Sequence, residues 1–270
     1  RRKGVGKPVK ERRQMAENEM LKVEHVTQKF GGLTALSEIN IRINRGEIVG
    51  VIGPNGAGKT TLFNLITGIY TPTEGRICLE GEDITGKKPY RIAEMGISRT
   101  FQNIRLFKKL TVMDNVIIGM HSRTKSNLLD AVFKTPRRRR EEKAGVQKAL
   151  ECLDFLHLKE LRYHLADSLP YGAQRRLEIA RCLATSPKVI LLDEPAAGMN
   201  EQETMELMEI IRKLKKGGYT ILLIEHDMKF VMNICDRLYV LDYGVQIAQG
   251  LPEEIKNNQK VIEAYLGKEV

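Results

Sequence analysis

The spacing of hydrophobic residues along the chain predicts alternating strands and helices. Residues 39–43 alternate isoleucine with polar side chains, as in a strand that buries one face. Residues 47–52, 189–192 and 220–224 are short, mostly apolar runs, which are typical of central strands buried on both faces. Residues 201–216 have the apolar spacing of a helix. Strands that alternate with helices in this way predict an α/β fold with a mainly parallel sheet.

The middle of the chain, from residue 106 to 166, has no strand pattern. Residues 140–156 are predicted to form an amphipathic helix. Its apolar positions, at helical spacing, are Val146, Ala149, Leu150, Leu153 and Leu156. We therefore expect a core built from residues 21–105 and 167–250, a helical subdomain inserted at 106–166, and a C-terminal helical segment at 251–270.

The chain is basic, and much of the excess charge lies outside the predicted core. In 270 residues, lysine and arginine total 44 against 34 acidic residues, a net charge of +10. This balance favours nucleic acid, an anionic membrane surface or phosphate ligands without choosing among them. Residues 1–20 are expected to be a basic, disordered tail. The four arginines at 137–140 are interpreted as a solvated helix end or, alternatively, as a patch that faces a membrane or a partner.

Composition also argues against several classes of protein. At 42% hydrophobic residues the chain is too apolar for a disordered protein. No apolar run approaches the roughly 20 residues that a membrane helix requires, so we expect no membrane span. The N-terminal residues have no apolar stretch behind them, so no signal peptide is expected. The cysteines form no Cys-x-x-Cys pair, which argues against a disulfide framework or a zinc site and favours a reducing cytosol.

Residues 53–60 form a glycine-rich phosphate-binding motif. They match G-x-x-x-x-G-K-[ST] and lie between a buried strand and a predicted helix. Glycines let backbone N–H groups turn toward phosphate oxygens; a plain glycine turn is the alternative. Lys59 is expected to reach the β- and γ-phosphates, and the Thr60 hydroxyl to bind Mg²⁺. The predicted nucleotide contacts are Gly53, Pro54, Asn55, Gly56, Ala57, Gly58, Lys59, Thr60 and Thr61.

Two adjacent carboxylates, Asp193 and Glu194, follow the apolar segment 189–192. Asp193, at the strand tip, is suited to hold Mg²⁺ directly or through water. Glu194 is suited to orient and deprotonate an attacking water molecule. The alternative is a helix cap, since Pro195 suggests that the chain turns there. Beside a phosphate-binding loop, the pair predicts hydrolysis of a nucleoside triphosphate.

Further motifs resemble those of the ATP-binding-cassette (ABC) ATPases, in the order that this family shows. Residues 99–103, Arg-Thr-Phe-Gln-Asn, are similar to its Q-loop, and residues 169–181 to its signature and the following helix. Residues 193–200 match the Walker B motif and the D-loop that follows it. Residues 224–227, Ile-Glu-His-Asp, match the switch region. The resemblance runs from about residue 21 to the C-terminus. It implies a P-loop NTPase cassette with a mainly parallel sheet, an antiparallel β subdomain and an inserted helical subdomain.

The resemblance implies roles for residues outside the phosphate loop. Gln102 would bind Mg²⁺ and sense the γ-phosphate, and His226 would hydrogen-bond the γ-phosphate. Phe30 would stack on adenine, while Tyr171 and Gly172 would contact the nucleotide of an opposing cassette. Without the family pattern, a lone histidine or phenylalanine at these positions is more typical of a structural residue. The implied catalytic set is Lys59, Gln102, Glu194 and His226.

Four positions depart from the usual family pattern, namely Pro170, Tyr171 and Ala173 in the signature and Asn200 in the D-loop. Pro170 replaces the signature serine, whose hydroxyl would donate to the γ-phosphate of the opposite subunit in a bond worth roughly 1.5–3 kcal/mol. Gly172 and the start of a helix predicted at 173–184 still provide an anion site. We expect this half-site to close on ATP and to contribute less to hydrolysis. Asn200 replaces the D-loop aspartate, which keeps hydrogen bonding and removes the charge.

A closer resemblance is to the ATPase subunits of branched-chain amino acid importers. Residues 194–200 and the ending at 264–267, Ala-Tyr-Leu-Gly, carry it. It implies ATP and Mg²⁺ as ligands, a second ABC ATPase subunit, the same or paralogous, and integral membrane permease subunits as partners. An extracytoplasmic substrate-binding protein would take part indirectly, and no nucleic acid would bind. The implied location is the cytoplasmic face of the cell membrane, as a peripheral protein.

Three alternatives lie outside this assignment. Relatives of the same branch import urea or short amides. A soluble ABC ATPase that acts on nucleic acid is favoured by the net charge of +10. Such proteins usually carry two cassettes or a long coiled coil, whereas this sequence has one phosphate loop followed by one signature. The third alternative is a P-loop kinase or GTPase. Proteins of that class have no need of the signature or of the His226 motif, so this sequence does not favour it.

Overall fold

The computed structural model describes residues 18–120 and 136–266. The strands are β1 (Glu19–Phe30), β2 (Leu33–Asn44), β3 (Ile48–Ile52), β4 (Glu74–Leu79), β5 (Glu82–Asp83), β6 (Ile97–Arg99), β7 (Val189–Asp193), β8 (Thr220–Ile224), β9 (Arg237–Asp242) and β10 (Val245–Gly250). The helices are α1 (Lys59–Ile66), α2 (Pro89–Met95), α3 (Val112–Met120), α4 (Pro136–Phe155), α5 (Tyr171–Ala184), α6 (Glu201–Lys216), α7 (Met228–Ile234), α8 (Pro252–Lys256) and α9 (Gln259–Leu266), with 3-10 turns at Lys159–Leu161 and Ala166–Ser168. The basic tail expected at the N-terminus falls outside the described residues up to residue 17, as does the end of the C-terminal segment from residue 267.

A parallel core of five strands confirms the predicted α/β fold. The described strands form one sheet in the order β5-β4-β1-β2-β10-β9-β3-β8-β7-β6, and the run from β9 to β6 is parallel. Every residue of β3, β7 and β8 is buried. In β3, Ile48 and Ile52 face one hydrophobic cluster, whereas Val49 and Val51 face another. Burial on both faces explains why these strands are apolar at consecutive positions.

The first part of the chain adds an antiparallel layer. Strands β1, β2, β4 and β5 pair antiparallel with one another, and Ile39, Ile41 and Ile43 of β2 are fully buried. This confirms the predicted half-buried strand. Glu19 and Met20, which the sequence pattern assigns to the tail, already belong to the sheet. Glu19 pairs with Asn44, because the sheet begins two residues before the apolar alternation becomes visible.

Helices α3, α4 and α5 pack together beside the parallel strands. Helix α4 begins at Pro136, four residues before the predicted start. Its residues Ala149 and Leu153 are fully buried in the cluster that also contains the α3 and α5 side chains, whereas Val146 is 42% exposed. Among the side chains of this helix that the structure describes, the fully buried ones lie in its C-terminal half. The side chains of the arginine run at 137–139 lie outside the described residues.

Two further expectations from composition concern cysteines and membrane spans. All four cysteines are free thiols, namely Cys78, Cys152, Cys182 and Cys235. Burial raises the pKa of Cys182 to about 12, so this thiol stays protonated at neutral pH. Among the described helices, none combines the length and the apolar composition that crossing a bilayer requires.

Candidate active site

The glycine loop follows β3 directly and ends at the first residue of α1. Gly53 has a φ of 151° and Gly58 a φ of 99°, both in the region that favours glycine. A Cβ at Gly53 would overlap the carbonyl oxygen of Leu241, and a Cβ at Gly58 would lie 2.5 Å from the Leu36 side chain. Only glycine fits at these two positions. The loop can therefore turn tightly from the strand into the N-terminus of α1, where free N–H groups favour an anion.

The Lys59 ammonium lies inside this loop. Its Nζ donates to the carbonyl oxygens of Gly53 at 2.6 Å and of Pro54 at 2.8 Å. The side chain is buried, and burial lowers the pKa of Lys59, an effect that the carboxylates of Glu194 and Asp193 oppose. Lys59 is thus a cation at the N-terminus of α1, where backbone N–H groups also favour an anion. It is placed to contact phosphate oxygens.

Three predicted catalytic side chains meet at Glu194. Gln102 Nε2 donates to Glu194 Oε2 at 2.8 Å, and His226 Nε2 lies 2.6 Å from Glu194 Oε1. Because a carboxylate only accepts, this geometry indicates that Nε2 of His226 carries the hydrogen. Glu194 follows β7 and His226 comes two residues after β8, which is the parallel neighbour of β7. Two adjacent strand ends therefore bring these groups together, as the sequence predicts for a hydrolytic centre.

These residues line one open cleft of about 670 Å³. The predicted residues on its wall are Phe30, Asn55, Gly56, Ala57, Gly58, Lys59, Thr60, Thr61, Gln102, Glu194 and His226. Phe30 is 42% exposed and meets Tyr70 edge to face, with ring centroids 5.1 Å apart. An exposed ring at the wall of a cleft is available for stacking on a planar base. Gly53 and Pro54 form the loop beneath without lining the cleft.

Tyr243 also lines the cleft, and nothing in the sequence pattern indicated it. It is 89% exposed and has a left-handed backbone with φ of 43° in the turn between β9 and β10. The next residue, Gly244, donates its N–H to the carbonyl oxygen of Ala57 in the phosphate loop. A Tyr-Gly pair after an apolar strand predicts only a turn. Its nearness to the phosphate loop depends on the order of the strands, which the local sequence does not contain.

Asp193 is held beneath the cleft by a residue that sequence reasoning missed. Arg99 donates to Asp193 Oδ2 at 2.7 Å and to Asn64 Oδ1 at 2.7 Å. Both charged side chains are nearly inaccessible, 6% exposed for Arg99 and 4% for Asp193. A buried carboxylate needs such a partner. Arg99 lies at the end of β6, and the pairing of β6 with β7, which the local sequence does not contain, brings it to Asp193.

The donors predicted for Mg²⁺ are only partly assembled. Thr60 and Gln102 line the cleft with Glu194, whereas Asp193 lies below its wall. Hydroxyl, amide and carboxylate oxygens are the ligands that this hard cation prefers. In the described part of the chain, no three His, Cys, Asp or Glu side chains are grouped to hold a metal. The donor chemistry therefore fits an Mg²⁺ ion that takes its remaining ligands from water and phosphates.

The signature residues lie outside the cleft of their own chain. Helix α5 begins at Tyr171, one residue earlier than Gly172 and two earlier than predicted, with Pro170 as its N-cap. Tyr171 is 42% exposed and packs against Gly198, and Gly172 packs against Glu203 of α6. Neither Tyr171 nor Gly172 lines the cleft. At the N-terminus of α5, Pro170 and Tyr171 are exposed to another molecule, whereas Gly172 is buried.

Two further residues shape the turns around Glu194. Asn200 is the N-cap of α6: its Oδ1 accepts from the N–H of Glu203 at 2.9 Å, and its own N–H donates to Glu203 Oε2 at 3.1 Å. The buried Glu225 accepts from the N–H groups of Ala196 at 2.8 Å and His226 at 3.1 Å. Burial raises the pKa of Glu225. Sequence reasoning gave Glu225 no role, although it joins the turn after Glu194 to the turn that carries His226.

Comparison with known proteins agrees with this geometry. The family model described as ABC transporter matches residues 36–197, and the model described as branched-chain amino acid ATP-binding cassette transporter matches residues 245–270. The chain is 47% identical to the high-affinity branched-chain amino acid transport ATP-binding protein BraF of Pseudomonas aeruginosa. It is 48% identical to LivG of Escherichia coli, which has the same description. Each alignment covers 92% of this chain and 98% of the relative.

Solved structures extend the likeness to the fold. The ADP conformation of MJ1267, an ATP-binding cassette of an ABC transporter, has a TM-score of 0.82 at 37% identity and covers 93% of this chain and 99% of its own. A dimeric bacterial ABC transporter cassette, MJ0796, has a TM-score of 0.72 at 27% identity, covering 86% of this chain and 99% of its own. On its sequence, its site and its fold, the chain belongs to the ABC transporter family, as an ATP-binding cassette.

Proposed function

We propose that this chain is the ATP-hydrolysing subunit of an importer for branched-chain amino acids. The observation that carries the hydrolytic part is the Glu194 carboxylate, which Gln102 and His226 hold at the wall of a phosphate-loop cleft. Relatives that are 47% and 48% identical over 98% of their own length are described as branched-chain amino acid transport proteins, and they support the substrate class.

The site supports the following division of labour. The phosphate loop and Lys59 bind the β- and γ-phosphates, and Phe30 stacks on the adenine ring. Glu194 takes a proton from the attacking water, the bond from the γ-phosphorus to the bridging oxygen breaks, and ADP and phosphate leave. His226 orients Glu194 and the γ-phosphate. Thr60 and Gln102, with Asp193 through water, would hold Mg²⁺, which offsets the charge on the phosphates.

The position of the signature outside its own cleft supports a two-cassette arrangement. Tyr171 and Gly172 lie away from the cleft of their own chain, so they would meet ATP bound to a second cassette, the same or paralogous. The dimeric cassette MJ0796, which shares the fold, supports this pairing. The cassette pair would act on integral membrane permease subunits from the cytoplasmic face of the membrane. An extracytoplasmic binding protein would deliver the amino acid to those subunits, and nucleic acid has no part.

Transport by the reconstituted complex tests this proposal. The chain is co-purified with its permease subunits and binding protein, placed in proteoliposomes with ATP, and offered leucine, urea or a short amide. We expect ATP-dependent uptake of leucine, with urea and the amide excluded. Uptake of urea or the amide in place of leucine would contradict the substrate class. Tight, specific binding of DNA in physiological salt, without assembly on a permease, would contradict the transport function.

A further inference from the structure

The segment that carries Gln102 is held by charged side chains of the signature helix. This segment, residues 101–107, joins β6 to α3 and contains no regular helix or strand. Arg175 Nη1 donates to the carbonyl oxygen of Phe101 at 2.9 Å, and the N–H of Arg105 donates to Glu178 Oε1 at 2.7 Å. Arg181, one turn further along α5, donates to the carbonyl oxygen of Arg105. Three side chains of one helix thus hold the backbone on both sides of Gln102.

The two central residues of this contact are a buried ion pair. Arg175 and Glu178 are each 4% exposed, and Arg175 Nη1 lies 3.6 Å from Glu178 Oε2. Burial raises the pKa of Glu178, and the N–H of Arg105 and the charge of Arg175 oppose that rise. Arg175 Nε also donates to the hydroxyl of Tyr171, at 3.2 Å, in the first turn of the same helix. One arginine therefore connects the signature end of α5 with residue 101.

The far end of the segment is held separately. The fully buried Asn115 of α3 accepts from the N–H of Phe107 at 2.9 Å and donates to the Phe107 carbonyl oxygen at 3.1 Å. Gln102 therefore lies between two attached points, with its own amide 2.8 Å from Glu194. A shift of α5 relative to the sheet would move the attached backbone and change the contact between Gln102 and Glu194.

We propose that Arg175 and Glu178 are positioning residues that transmit movement of the signature helix to Gln102. The proposal rests on the proposed function, because it assigns a role within ATP hydrolysis. When Tyr171 and Gly172 of this chain contact the nucleotide bound to the second cassette, the N-terminus of α5 would be displaced. The Arg175–Glu178 pair passes that displacement to the backbone at residues 101 and 105. Nucleotide bound in the cleft of the second cassette thereby changes the position of Gln102 relative to Glu194 in the cleft of this chain.

Variants of Glu178 test the proposal in the assembled transporter. Glu178→Ala removes the acceptor for the Arg105 N–H, and Glu178→Gln keeps an acceptor oxygen there. We expect Glu178→Ala to lower kcat for ATP by about tenfold while the Kd for ATP stays within about twofold, because the phosphate loop is untouched. Glu178→Gln should restore most of kcat. Arg176→Ala is the matched control, since Arg176 lies on the same helix and pairs with Glu206 of α6 at 3.1 Å.

The kinetic results distinguish a role of Glu178 in positioning Gln102 from a role in folding alone. A Glu178→Ala transporter with normal kcat would overturn the proposal, and so would a Glu178→Gln transporter as slow as Glu178→Ala. If Glu178→Ala does not fold, Arg175→Lys replaces it, since lysine keeps the charge but cannot reach both Phe101 and Tyr171. Normal kcat in Arg175→Lys would likewise overturn the proposal. A wild-type transporter without ATPase activity would instead contradict the proposed function.

Discussion

At the scale of single residues, Glu194 is held in an uncommon conformation. Its backbone has a φ of 47°, in the left-handed region that residues other than glycine rarely occupy. Its N–H donates to the carbonyl oxygen of Ile224, and its two carboxylate oxygens meet Gln102 and His226. Such a conformation persists where neighbouring groups determine it, and it clusters at functional sites. The carboxylate is thereby held at the wall of the cleft.

Tyr243 gives a prediction at this scale. Its ring lines the cleft with Phe30, and stacking on a base contributes roughly 1–3 kcal/mol by alanine substitution. We expect Tyr243→Ala to raise the KM for ATP about fivefold with kcat unchanged, since the change leaves the contacts of Glu194 with Gln102 and His226 in place. Tyr163→Ala is the control, because Tyr163 is 75% exposed and does not line the cleft. An unchanged KM in Tyr243→Ala would exclude Tyr243 from nucleotide binding.

Residues that belong to local motifs could be predicted from the sequence, and residues placed by strand order could not. Gln102, Glu194 and His226 each occur in a recognisable run, and the structure brings them together. The partnership of Arg99 with Asp193 and the position of Tyr243 depend on which strands are neighbours. That information is spread over the whole chain, so local pattern reading does not reach it.

At the scale of elements, α6 shows why some boundaries were predictable. The helix spans Glu201–Lys216, the same residues that the apolar spacing predicts, and a capping box at its start and three lysines in its last turn mark both ends. Helix α4 begins with a proline, a residue common at the first helical position, but apolar spacing alone does not detect this signal. Its first residues after Pro136 are charged and carry no apolar period, so the prediction began four residues late. Signals at helix ends, rather than periodicity alone, decide the accuracy of a boundary.

The capping box predicts the effect of changing Asn200. Asn200→Ala removes the acceptor for the N–H of Glu203, and we expect it to destabilise the protein by about 1 kcal/mol. Asn200→Asp keeps the acceptor and places a negative charge at the helix N-terminus, so stability should be retained. Calorimetric Tm values of the two variants check this. Equal Tm values for Asn200→Ala and the wild type would show that the cap contributes nothing.

At the scale of the whole molecule, the cleft and the signature lie at separate places on one chain. The cleft wall contains the phosphate loop and Glu194, and it contains neither Tyr171 nor Gly172. Tyr171 lies beside Gly198, in the turn that follows Glu194, and does not reach the cleft wall. A complete hydrolytic site in the proposed mechanism therefore needs two cassettes, each supplying the part that the other lacks.

Pro170 gives a prediction about this shared site. Pro170→Ser supplies a hydroxyl at the N-cap of α5, where the structure has no side-chain cap. We expect a several-fold rise in kcat of the assembled transporter, because a hydrogen bond to a charged phosphate is worth roughly 1.5–3 kcal/mol. Pro170→Ala, which adds no hydroxyl, is the control and should show no rise. Unchanged ATPase activity in Pro170→Ser would contradict the idea that proline weakens this half-site.

ATP hydrolysis by Glu194→Gln, measured together with ATP binding and cassette dimerisation, tests most directly whether Glu194 is the general base. Glutamine keeps the shape of the side chain but cannot act as a base, and its single amide oxygen keeps only one of the two accepted hydrogen bonds. We predict ATP binding close to that of the wild type, hydrolysis reduced by at least about 100-fold, and a cassette dimer that persists with ATP bound. Glu201→Gln, a change at an exposed glutamate of α6, should hydrolyse ATP normally. Near-normal hydrolysis by Glu194→Gln would contradict the mechanism.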